Sequence, residues 1–72
     1  MYQESKCREY RGQLNALATE EIWTLAIRYG YEIRQTRDGP RIQFSRLQNR
    51  ERNEWMDAAN DLLCEREKTG KG

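Results

Sequence analysis

Asp38-Gly39-Pro40 separates two short runs of alternating residues, and this arrangement restricts the fold more than any other stretch of the chain. Before it, Tyr31, Ile33 and Gln35 share one side, while Glu32, Arg34 and Thr36 share the other. After it, Ile42 and Phe44 alternate with Arg41, Gln43 and Ser45. Successive side chains of a strand point to opposite faces, so each run reads as a strand with one apolar face. Asp-Gly is a turn signal, and Pro40 suits a turn or an edge strand because it has no N–H to donate. The stretch is expected to form an antiparallel hairpin. Two strands alone are marginal in water, so the apolar face must lean on other elements.

Helical patterns flank the hairpin on both sides. Cys7, Tyr10, Leu14 and Leu17 recur at spacings of three and four, with Gly12 on the opposite face costing about 1 kcal/mol relative to alanine. In "ATEEIWTLAIRYG", Thr19 suits a cap, Glu20 and Glu21 a first turn, and Gly30 a stop. Ile22, Leu25, Ala26 and Tyr29 form one stripe of this second segment, and Trp23 and Ile27 form a line beside it. A bend near Ala18–Thr19 is expected to part the two segments. Beyond the hairpin, Ser45 and Gln48 have capping-box spacing, which starts a last helix there or, if Leu47 belongs to the connection, near Asn49. Its inward residues are Leu47, Trp55, Ala58, Ala59, Leu62 and Leu63, with Met56 at their edge.

The expected architecture is therefore a small single α+β domain of order ααββα: two N-terminal helical segments, an antiparallel β-hairpin and a C-terminal helix. It should occupy residues 1–67, with 68–72 a disordered tail. Its core is expected to contain Leu14, Leu17, Ile22, Leu25, Ala26, Tyr29, Ile33, Ile42, Phe44, Trp55, Ala59 and Leu62. Seventy-two residues allow one such core, and a chain of that size buries only roughly 60% of the surface its unfolded form exposes. The second helical segment offers more apolar surface than so small a core covers, so a homodimer is expected.

Catalysis finds little support in the residues. The chain has no histidine, which removes the usual general base near neutral pH. Carboxylate pairs exist at Glu20/Glu21, Glu54/Asp57 and Asp57/Asp61, but none has the apolar surroundings that tune a catalytic acid. Cys7 and Cys64 cannot complete a four-ligand zinc site. "RDGPR" has one glycine where a phosphate cradle needs a nest of backbone amides. No enzyme activity, metal or cofactor is expected. An apolar targeting segment and a bilayer-length run are both missing from the sequence, so a cytoplasmic protein with reduced cysteines is expected.

Charge points to the hairpin instead. The net charge is only +1, but residues 28–52 hold seven arginines against Glu32, Asp38 and Glu51. Every basic residue in that stretch is arginine, whose planar fork suits carboxylate or phosphate. An arginine-rich genome would give the same bias without functional meaning. The candidate partner-binding residues are Arg34, Arg37, Arg41 and Gln43 in the hairpin, with Arg46, Arg50 and Arg52 following. Alternation puts Arg34 and Arg41 on the solvent face and Arg37 at the turn. Trp23 and Trp55 are candidate anchors, since tryptophan is enriched at binding hot spots, although both also fit core positions.

The helix–hairpin–helix order over residues 20–64, with "GYEI" and "DGPRIQF" as its strands, resembles in layout the small docking domains at the ends of modular peptide-synthesising enzymes. That resemblance implies that an edge strand such as Arg41–Ser45 could accept an added peptide strand. The expected function is a non-catalytic protein-interaction or regulatory module, an adaptor or inhibitor, whose partner presents an acidic or extended surface. The alternative is a small nucleic-acid-binding protein that contacts phosphates through the same arginines. Base stacking fits less well, because Tyr31 and Phe44 share the face opposite Arg34 and Arg41.

Overall fold

The computed structural model describes residues 3–45 and 53–68. Its elements follow the order α1 (Glu4–Asn15), α2 (Thr19–Arg28), β1 (Glu32–Thr36), β2 (Gly39–Gln43) and α3 (Glu54–Lys68). The chain is thus a small α+β domain of ααββα order.

The N-terminal segments are two helices, as the expected bend requires. α1 closes with the Leu17 N–H donating to the Leu14 carbonyl at 2.9 Å. Ala18, not Thr19, is the N-cap of α2, and its own N–H donates to Glu21 Oε1 at 3.1 Å. That bond is one half of a capping box, because alanine has no side-chain acceptor to return. Thr19 is drawn elsewhere: its hydroxyl oxygen accepts from Arg66 Nη1 of α3 at 2.8 Å.

α2 ends in a Schellman motif. Gly30 takes φ 92°, a left-handed conformation that favours glycine. The Gly30 N–H donates to the Ile27 carbonyl at 3.0 Å, and the Tyr31 N–H donates to the Ala26 carbonyl at 2.9 Å. Ala26 and Tyr31, the residues joined by this last bond, both belong to the buried core. The chain leaves the helix already aimed into β1.

The hairpin pairs Glu32 with Gln43, Ile33 with Ile42, Arg34 with Arg41, Gln35 with Pro40 and Thr36 with Gly39. Arg37 and Asp38 carry the reversal without positive φ, and Gly39 follows at φ 102°. The turn therefore lies one residue earlier than an Asp-Gly centre would place it. Thr36 explains the shift: its Oγ1 accepts from the Asp38 N–H at 3.2 Å and donates to the Gly39 carbonyl at 2.7 Å.

α3 is capped by Asn53, whose Oδ1 accepts from the N–H groups of Trp55 at 3.0 Å and Met56 at 3.3 Å. This corrects the capping role expected of Ser45; Leu47, Gln48 and Asn49 lie outside the described residues. At its other end α3 runs through Lys68, one residue past the expected domain limit. Residues 69–72, most of the expected tail, also lie outside the described residues.

Leu14, Ile22, Ala26, Tyr31, Ile42, Ala58, Ala59, Leu62 and Leu63 form the buried core. Leu17, Leu25, Ile33, Phe44 and Trp55 pack half-buried around it. Tyr29 departs from expectation, with 56% of its surface exposed. It stands one residue before the helix-ending glycine, where the ring leans edge-on against Trp55 at 5.3 Å rather than entering the core. Tyr31 takes the interior place, stacked on Trp55 at 5.2 Å and 11°.

Candidate functional site

The hairpin arginines fall into two groups. Arg34 on β1 and Arg37 at the turn are exposed, and no ion pair or side-chain hydrogen bond engages either among the described residues. Arg41 lies directly across from Arg34 but is held by its own protein. Its Nη1 donates to the Pro40 carbonyl at 2.7 Å, and its Nη2 donates to the Asp38 carbonyl at 2.9 Å and to Glu67 Oε2 at 3.2 Å. Only 16% of its side chain is exposed. Burial alone would lower the pKa of this guanidinium, but the hydrogen bond and charge of Glu67, with smaller contributions from Cys64 and Asp38, outweigh it and raise the value. Arg41 therefore does not present the free solvent-facing fork expected of it. It fastens the turn to the end of α3.

Glu67 also passes close to Gly39, where an added Cβ would lie 2.5 Å from Oε1. Gln43 is half-buried opposite Glu32. Arg46, Arg50 and Arg52 lie outside the described residues, and α3 begins after them at Glu54.

The two edges of the hairpin differ. On β2, Asn60 of α3 fills both backbone groups of Ile42: Oδ1 accepts from the N–H and Nδ2 donates to the carbonyl, each at 2.9 Å. In an antiparallel ladder, groups on one side of a strand belong to alternate residues, so Pro40 shares this outer side with Ile42. Pro40 has no N–H, and its carbonyl is taken by Arg41. This closes β2 at Pro40 and Ile42, so the edge expected to be open over Arg41–Ser45 is blocked at Ile42. On β1, Ile33 opposes Ile42, so its N–H and carbonyl point away from β2, and those of Gln35 do likewise. Nothing among the described residues bonds to them.

The candidate anchors are partly occupied. Trp55 is stacked with Tyr31 and makes a T-shaped contact with Tyr29. Trp23 is half-buried and borders a recess of about 200 Å³ with Thr19, Pro40, Leu63, Arg66 and Glu67. A wider depression of about 520 Å³ between α1 and α3 is lined by Arg8, Arg11, Gly12, Asn15, Leu62, Glu65 and Arg66. Two of its arginines have partners: Arg11 pairs with Glu65 and lies 3.9 Å from Asp61, while Arg66 Nη2 donates to the Leu17 carbonyl at 2.7 Å. The Asp61 side chain is 71% exposed.

Among the described residues, no group of three or more acidic or sulfur-bearing side chains is placed to hold a metal. Cys7 and Cys64 are both unpaired and half-buried. No described helix is long and apolar enough to cross a membrane. Comparison with protein-family models, curated proteins and solved structures found no match.

Asn60, Asn53, Arg66 and Glu67 were not legible as organising residues. Each acts on backbone or side chains remote in sequence or at an element end, and in the pattern each reads as an ordinary polar helix position. Only Asn53 carries a local signal, as a cap-forming residue immediately before an apolar periodic run.

Proposed function

We propose that this protein is a non-catalytic interaction module, an adaptor or inhibitor, that binds an acidic surface of a partner protein through the tip of its hairpin. The observation that carries this reading is the contrast between Arg37 and Arg41. Arg41 is consumed by three internal contacts, whereas Arg37 stands exposed on the turn with no described partner and Arg34 flanks it on β1. A surface ion pair contributes little by itself. A fork held at the end of a short turn can nevertheless select a carboxylate and set the orientation of an approaching surface.

Pull-down from the source cell with the wild-type chain and with Arg37→Glu tests the reading. The wild type should recover a specific protein that the variant loses, with the far-ultraviolet circular dichroism of the two chains unchanged. Equal recovery by both would clear the hairpin tip of this role. Recovery of nucleic acid alone, with affinity that falls steeply as salt is added, would favour phosphate binding through the same arginine.

A further inference from the structure

We propose that the outer edge of β1 joins a second copy of this chain, antiparallel about Ile33, giving a four-stranded sheet of order β2–β1–β1–β2. This goes beyond the partner-binding reading, because the dimer forms with no other protein present. Among the described residues, β1 presents the more open edge of the hairpin. Asn60 and Arg41 occupy the outer groups of β2 at Ile42 and Pro40, while nothing among the described residues bonds to the outward N–H and carbonyl groups of Ile33 and Gln35 on β1. An exposed strand edge of this kind is a template for another strand.

The side chains specify what that strand must carry. Glu32 and Arg34 are exposed on either side of half-buried Ile33 and have no described ion-pair partner. Directly opposed charges on paired strands attract when unlike and repel when like. An incoming antiparallel strand must therefore set a cation against Glu32, an apolar side chain against Ile33 and an anion against Arg34. Glu32-Ile33-Arg34 of a second copy, read in the opposite direction, supplies that order.

Other symmetric registers fit less well. Centring on Arg34 or Glu32 brings like charges face to face, and centring on Gln35 leaves both without an opposite. In the register about Ile33, each Ile33 N–H reaches the other Ile33 carbonyl, and each Gln35 N–H reaches the Tyr31 carbonyl of the second copy. The Tyr31 N–H takes no part, because it already donates to Ala26. The half-buried Ile33 gains cover from its counterpart. Arg37 remains at the turn, so the dimer displays one tip at each end of the sheet.

Sedimentation equilibrium at low salt, from low micromolar to about 100 μM, should show a concentration-dependent dimer. Glu32→Arg and Arg34→Glu should each weaken it at least tenfold. The charge swap combining both substitutions should restore it, and so should mixing the two single variants. A monomer throughout that range would overturn the proposal. So would a dimer indifferent to all these substitutions, which would place the contact on another surface such as exposed Ile27 and Tyr29. Circular dichroism of each variant should match the wild type, and because the swap retains both altered positions, its rescue cannot arise from general loss of fold.

Discussion

Asn60 does for Ile42 what a third strand would do: its carboxamide accepts from the N–H and donates to the carbonyl, both at 2.9 Å. One side chain of α3 thereby satisfies the outer edge of β2 and fixes the helix against the hairpin beside a core residue that is 1% exposed. Removing the amide would leave both groups of Ile42 short of a partner. Asn60→Ala should cost about 1–3 kcal/mol, the usual penalty for stranding buried polar groups. Asn60→Asp should also destabilise at neutral pH, since a carboxylate cannot donate to the Ile42 carbonyl. Urea unfolding measures both, and a change below about 0.5 kcal/mol for the alanine variant would mean that water replaces the amide without loss.

Tyr31 supplies a second test, this one of pH dependence. Its hydroxyl donates to Asn53 Oδ1 at 2.9 Å, the same oxygen that caps α3. Burial raises the pKa of this phenol above 10.0, with smaller contributions from Tyr10, Glu54 and Tyr29. A raised value in the folded state means that the folded chain holds the proton more tightly than the unfolded one. The associated stability is therefore present below about pH 10 and is lost as pH rises through the folded pKa. Tyr31→Phe keeps the ring stacked on Trp55 and should cost about 1 kcal/mol at pH 7. The gap between the two chains should narrow above pH 10, measured as urea midpoints in parallel series. A gap that stays constant would show that Tyr31 does not govern the alkaline limb.

Element order was legible because each element carries its own periodicity. Two-residue alternation marks β1 and β2, three-and-four spacing marks the helices, and Gly30 ends α2 where its left-handed φ is needed. What local pattern could not convey is which strand edge α3 would run beside. Arg41 and Arg34 look equivalent by alternation, and they do oppose each other in the hairpin. The Pro40 and Asp38 carbonyls and the approach of Glu67, twenty-six residues away from Arg41, separate them. Asn60 hides the β2 edge for the same reason. Tyr29, expected in the core, is exposed because α2 gives way there to the Schellman turn, whereas Tyr31 is buried on the apolar side that strand alternation gave it.

The contrast between Ile22 and Ile27 tests the burial pattern of α2 within a single helix. Both residues are isoleucine, five positions apart, and both belong to the apolar face read from the sequence. Ile22 is fully enclosed among the core residues, whereas Ile27 is 63% exposed. Truncation of an enclosed isoleucine loses its transfer energy and leaves a cavity, so Ile22→Ala should cost about 2–5 kcal/mol. Domains have only about 5–15 kcal/mol in total, and one this small lies toward the lower end, so this variant should be partly unfolded at room temperature. Ile27→Ala should change stability by no more than about 0.5 kcal/mol, because little packing is lost and alanine favours the helix. Urea titration of both variants at low micromolar concentration separates folding from association. A large loss for Ile27→Ala under those conditions would mean that its exposed side chain is covered even in dilute protein, by a contact other than the β1 edge.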